Sequence, residues 1–371
     1  MNNIFFGDKL RLARLMSGLT QQELGEHVLV SRQFIHQLET GVKVPAEDTI
    51  GAIADVLKVN QSFFYKSPVN DVKYEQCHFR KRRTTPVGLA NRVLALSTVF
   101  EQFVDILDEH LELPEYNFPD FDTNDLTSEK IERLAEKCRI HWGLGVDTPI
   151  SNMVRVLENA GAVITCFDGI SDKVDALSIN RKRPIIVRNN AKESICRMRF
   201  DLGHECAHLI LHQGIETGCV KTEKEADAFA SAFLFPRSAF LREFPKCLGP
   251  LRIKWERVYE LKIRWKISVR AIIYRANYLG LLSPQQYRTA NVYLNKTGQS
   301  KVELYDDKIA NEQPEILSTA LDTLYEEVGI SIFDIAYKLG VNVEILAQLT
   351  GYELDKQIRY ENVSGINIHR Y

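Results

Sequence analysis

No run of apolar residues in this 371-residue chain is long enough to cross a bilayer, which excludes a helical membrane span. Neither sign of charge is in excess, with 47 Lys and Arg against 49 Asp and Glu. A contact with nucleic acid therefore has to come from a local module, because there is no global field to supply one. Cysteine is scarce: seven residues, odd in number, scattered, and nowhere spaced as CxxC. Such a set builds no disulfide framework and favours reduced thiols in a cytoplasmic setting. An apolar leader is lacking too. Met1–Gly7 runs straight into a charged helical pattern, so we expect no signal peptide and no membrane contact. What is left, 45% hydrophobic and 26% charged, is an ordinary globular mix. The length suggests two or three domains.

The stretch Phe200–His212 holds His204-Glu205-x-x-His208, the HExxH pattern. Residues four apart share one helix face, so both imidazoles can meet one metal ion. Glu205, one step round, can take a proton from an activated water. A zinc ion needs a third protein ligand and an open position. The segment Glu223–Pro236 reads as the helix that supplies it. At about 100° per residue, Ala226, Ala230, Phe233 and Leu234 share a face, with Glu223 and Asp227 at its edge and Glu225 pointing away. Glu223 is then the third ligand, and Asp227 holds a ligand histidine by its other ring nitrogen. The competing reading is a solvated acidic turn beside a buried helix whose histidines merely hydrogen-bond. A metzincin pattern is excluded, because Leu211 and Gly214 stand where its Gly and third His belong. His212 lies too far from His204 to share the ion and is expected to be a structural or surface residue. Cys206 is expected in the core.

Residues 6 to about 65 read as short helices with tight turns. Thr20-Gln21-Gln22-Glu23 is a capping box, a second short helix starts at Ser31, and Gly41 suits its stop. Two short helices joined by a turn form a DNA-reading geometry. The runs Thr20–Leu24 (TQQEL) and Ser31–Gly41 (SRQFIHQLETG), with Pro45, resemble the Xre/Cro-type helix-turn-helix family over the whole module. That resemblance implies that the helix from Ser31 enters the major groove, with Ser31, Arg32, Gln33 and Gln37 towards the bases and Gln21 on a phosphate. Arg and Gln side chains suit guanine and adenine edges. A bundle used only for protein contact is the alternative. The module is not basic, so dimerisation on a two-fold double-stranded operator is expected to strengthen binding.

The basic run His78–Arg83 reads either as a solvated linker or as a track along the DNA backbone. A long amphipathic helix is expected over 89–113, and strands over 162–167 and 184–188. The second strand could be the edge that accepts an extended peptide. Pro149-Ile150, Glu158-x-x-Gly161, Ile185–Val187, Arg199-Phe200, the HExxH and Glu223-x-x-Ala226-x-x-Phe229-Ala230 ending in Pro236 are similar, in order, to the ImmA/IrrE metallopeptidase family. The resemblance covers roughly 127–240. It implies a zincin-like fold whose members cleave Xre-type repressors. Asp227 stands where many members have Asn, and Gly203 and Cys206 replace the more usual Ala and Leu or Phe.

From about 246 the pattern is helical. Residues 332–346 look superficially like a second helix-turn-helix, but one with few polar base readers. The expected fold is mainly α with an α+β centre. Residues 1–66 are read as the all-α DNA-binding domain, 67–125 as a basic linker and long helix, 126–295 as a zincin-like metallopeptidase domain with a small sheet, and 296–371 as a helical C-terminal interaction region. The expected function is a DNA-binding regulator whose zinc endopeptidase domain cleaves a repressor-type protein, with an Xre-type repressor or a toxin as protein partner. The alternative is a repressor or antitoxin with a non-catalytic structural or sensing metal site. Arg199 and Tyr274 are candidates for stabilising the oxyanion.

Overall fold

Capping and periodicity set the first elements of the computed structural model, which describes residues 4–68, 71–73, 77–81, 86–167, 174–188, 194–215, 217–250, 252–299 and 302–357, with 77–81 and 174–176 as backbone alone. Helix α1 spans Gly7–Ser17, α2 Gln21–His27, α3 Arg32–Glu39 and α4 Glu47–Leu57. The capping box forms at Thr20 and Glu23, and Ser31 caps α3 by accepting from the Phe34 amide. A buried pair clamps α1 to α3: Arg14 meets Glu39 at 2.5 and 3.1 Å through two guanidinium nitrogens.

The first strand, β1 (Cys77–Lys81), precedes the long helix α5 (Val87–His110). Then come α6 (Ser128–His141), α7 (Met153–Asn159), β2 (Val163–Cys166), β3 (Val174–Ile179) and β4 (Ile185–Arg188). Helices α8 (Ile195–Leu211) and α9 (Val220–Leu234) follow, then α10 (Arg237–Glu243), α11 (Trp255–Trp265), α12 (Val269–Tyr278) and α13 (Pro284–Lys296). The last three are α14 (Ile316–Thr323), α15 (Ile332–Leu339) and α16 (Val343–Thr350).

The four strands form one sheet in the order β1-β3-β4-β2. Strands β2 and β4 run parallel; the other two pairings are antiparallel. Side chains alternate across a strand, and here the alternation separates two cores. Val163, Leu177, Ile179, Ile185 and Val187 join a core with α1–α5 and α14–α16. Ile164 and Ile186 join a second core with α6–α13. The sheet is the wall between the side of the chain that carries α1–α5 and the HExxH side.

Three expectations are corrected by this fold. Part of the run expected as a basic linker is an edge strand at 77–81; its remainder, Arg82 and Arg83, lies outside the described residues. Strand β4 is flanked on both sides, by β3 and β2, so it offers no free edge to a peptide. Residues 316–350, expected as an interaction region, turn their apolar faces into the first core. There the Asn60 amide donates to Gly340 O at 2.8 Å and the Asn342 amide to Lys58 O at 3.2 Å. The preceding segment is tied to the other core by Glu312, which accepts from Arg199 and, at 2.8 Å, from the Met153 amide.

Gly340 sits at that junction with φ +79°, and a Cβ there would lie 3.1 Å from Phe63 Cα. Both the left-handed backbone and the close approach need glycine. Gly340→Ala is expected to cost about 1–3 kcal/mol and to lower the melting temperature of the full chain. An unchanged melting curve would mean that the C-terminal helices do not dock on residues 58–63 as described.

Candidate metal centre and nucleic-acid interface

Helix α8 is buried along most of its length, with His204, Glu205 and His208 each at 0% exposure. Helix α9 comes close because Gly203 faces Ala230; a Cβ on Gly203 would stand 3.3 Å from that of Ala230. Glu223 lies in the first turn of α9, where the helix dipole favours a carboxylate. The result is a cluster: the ligand atoms of His204, His208 and Glu223 lie within 4.8 Å of one another. The two Nε2 atoms are 3.0 Å apart, and the Glu223 oxygens stand 3.3 Å from that of His204 and 3.5 Å from that of His208.

The surrounding acceptors fix which ring nitrogens carry protons. Asp227 Oδ1 lies 2.8 Å from His204 Nδ1, and an ionised carboxylate only accepts, so Nδ1 bears the hydrogen and Nε2 the lone pair. His212 is 1% exposed, and burial together with His208 lowers its pKa to about 4, so its ring is neutral at pH 7. Its Nε2 faces Glu225 Oε2 at 3.1 Å and must be the donor. His212 Nδ1 then accepts, at 2.9 Å, from His208 Nδ1, and His208 also presents an Nε2 lone pair. Two lone pairs and a carboxylate aimed at one point repel one another unless a cation lies between them. Glu223 Oε1 is buried without a hydrogen-bond donor, as a ligand atom would be. The donor set of two imidazoles and one carboxylate fits zinc.

His212 therefore orients His208, the structural one of the two roles expected for it, and Glu225 points at His212 instead of away. Glu225 escapes a single-stripe reading because α9 packs against both α8 and α6, so the buried face of α9 is wider than one stripe. The i+4 repeat of His204, His208 and His212 was the signal for the relay. Ser178 on β3 was also missed: its hydroxyl donates to Glu205 Oε2 at 2.6 Å and fixes the carboxylate beside the cluster. Cys206 is a buried core residue. Arg199 is turned away from the centre, donating to Glu312 and to Ile150 O, the latter at 2.9 Å. Tyr274, half exposed on α12, lies near the centre: burial raises its phenol pKa and the Asp227 carboxylate raises it further.

On the DNA-reading side, Ser31, Arg32 and Gln33 are exposed at the start of α3, and Gln37 is half-buried one turn on. The Ser31 hydroxyl accepts from the Phe34 amide at 3.2 Å. Gln21 opens α2, but its side-chain amide donates to Glu39 at 2.6 Å, joining the Arg14–Glu39 pair. Arg32 and Gln33 are thus the long polar side chains that the fold leaves outward at the head of the second helix.

Residues 6–62 match the family model described as a helix-turn-helix domain, and residues 157–277 the one described as an IrrE N-terminal-like domain. Two curated relatives, uncharacterized HTH-type transcriptional regulators of Sinorhizobium medicae (strain WSM419) and Rhizobium meliloti (strain 1021), are each 32% identical over 69 residues. Those residues are 19% of this chain and 50% of each relative, so the chain spans about half the length of the curated relatives it matches. Among the described residues, no helix is long and apolar enough to cross a membrane.

Glu223→Ala is expected to abolish stoichiometric zinc binding, while His212→Ala leaves the ligands but weakens affinity by roughly 10–100-fold. Competition with a chelator measures both. Full retention of zinc by Glu223→Ala would break the assignment of the third ligand.

Proposed function

From a helix-turn-helix domain and an IrrE N-terminal-like domain joined in one chain, we propose a DNA-binding transcriptional regulator whose second domain is a zinc endopeptidase acting on a repressor-type protein. The observation that carries the reading is the pair of His204 and His208 lone pairs converging on Glu223, with Glu205 held beside them by Ser178. A purely structural site has no use for a carboxylate placed next to an open position.

His204, His208 and Glu223 would hold the ion, and Asp227 and His212 keep the two rings in the ligating tautomer. Zinc bound there supplies a Lewis acid for a peptide carbonyl and makes water a stronger acid. Glu205 is the general base: it takes the proton of the attacking water and returns it to the leaving amine nitrogen. Ser178 restrains the carboxylate by hydrogen bonding to Oε2, so the proton is exchanged with little side-chain rearrangement. The burial of α8 excludes bulk water from the base. Tyr274, exposed at the rim, is the remaining protein candidate for contacting the oxyanion.

The DNA-binding half of the reading rests on Arg32 and Gln33, with Ser31 and Gln37 beside them; the Gln21 helix start approaches a phosphate. Two copies on a two-fold operator give the geometry that such modules use.

Arg32→Ala and Gln33→Ala are each expected to weaken specific operator binding by about 1–3 kcal/mol. Equal affinity of both variants and the parent at fixed salt would remove the recognition-helix assignment. Glu205→Gln keeps the side-chain shape and is expected to retain zinc and DNA binding while cutting cleavage of a repressor partner by about 100-fold or more. Normal derepression in cells by this variant would leave the metal site standing without a catalytic role.

A further inference from the structure

Strand β3 is the strand nearest the base, since its Ser178 hydroxyl donates to Glu205. One of its edges is paired with β4 and the other with β1. The far edge of the sheet, at β2, is covered: α7, α14 and α16 pack on that strand, and Thr165 donates to Leu349 O. The outer edge of β3 is therefore the sheet edge beside the proposed catalytic centre. Residues 77–81 lie on it, antiparallel, with Cys77 opposite Ile179, His78 opposite Ser178 and Phe79 opposite Leu177. The register slips between Phe79 and Lys81, so the ladder is short and interrupted.

An extended peptide binds a sheet edge through main-chain hydrogen bonds, and each edge amide and carbonyl serves one occupant at a time. We propose that residues 77–81 are an internal occupant of the peptide-docking edge, which a backbone-extended segment of a protein partner must displace before it can reach Glu205. This rests on the peptidase reading and adds to it how access to the site is controlled. The position opposite Ser178 is the one next to the base, so the occupied register is the one a substrate needs. Exchange is local. The DNA-reading domain stays docked by other contacts, because the Arg92 guanidinium donates to Met16 O at 3.0 Å and Asn60 to Gly340 O at 2.8 Å. A five-residue bulged strand is a weak enough competitor to be exchanged, and its pairing partner is about a hundred residues away in the chain, so no turn closes the pair.

The test uses the full-length zinc-loaded protein and a labelled synthetic peptide carrying this chain's residues 74–84. His78→Pro removes the β1 amide that pairs with Ser178 and is expected to bind the peptide at least about tenfold more tightly than the parent, since an edge occupied most of the time binds in proportion to its free fraction. Bound peptide is expected to restore slow exchange of the Ser178 amide, which faces this edge. A second variant guards against misfolding of the first: Ile179→Cys, opposite Cys77, allows the occupant to be locked by oxidation. The locked form is expected to lose peptide binding and to regain it on reduction. Equal binding by locked and reduced forms overturns the proposal, and so does self-cleavage within 77–81, which would make the segment a substrate. Binding and exchange need no catalysis, so their failure is distinct from that of the Glu205→Gln test.

Discussion

Two imidazole nitrogens 3.0 Å apart, both with lone pairs turned to a half-buried carboxylate, form an arrangement that no neutral protein core tolerates by itself. Much of the HExxH half of the chain maintains it. Asp227 and the His212–Glu225 relay fix the tautomers from opposite sides. Gly203 lets α9 approach α8 closely enough to deliver Glu223. Buried ionic contacts hold the frame around these helices: Arg275 with Glu132 at 2.9 Å, and Lys262 between Glu303 and Asp306 at 3.1 and 2.6 Å. Such pairs are weak evidence for stability; what they do here is fix the positions of α6, α11 and α12.

The sheet transmits that order to the other half. Its residues alternate between two cores, so displacing β3 disturbs both the Ser178–Glu205 contact and the packing of Leu177 and Ile179 in the first core. The chain also passes between the cores after α5, from Leu113 on the first to Phe118 in the second, and the segment around Glu312 reaches back to Arg199 on the HExxH helix. The helix-turn-helix domain and the His204–His208–Glu223 cluster thus share one packed framework.

Elements whose logic is local were legible in the sequence. The capping box at Thr20 and the Ser31 cap each depend on residues three apart, and both are present in the fold. The same holds for the HExxH spacing and for Glu223 and Asp227 one helical turn apart, which meet the two histidines. What escaped depends on neighbours distant in sequence. Residues 174–179 carry Asp and Ser and show no clean alternation, and 77–81 read as a charge run. They become strands only because they pair across about a hundred residues. Glu225 was misplaced because its helix has two packing partners. The docking of α14–α16 on the first core was invisible for the same reason: their apolar stripes were plain, but nothing local says what covers them.

The central claim, that His204, His208 and Glu223 form one zinc site, is tested most directly by X-ray absorption at the zinc edge of the purified full-length protein. The account predicts a first shell of nitrogen and oxygen only, at about 2.0–2.2 Å, with the outer scattering of two imidazole rings. A sulfur scatterer at about 2.3 Å, or a shell with one imidazole or none, would contradict it.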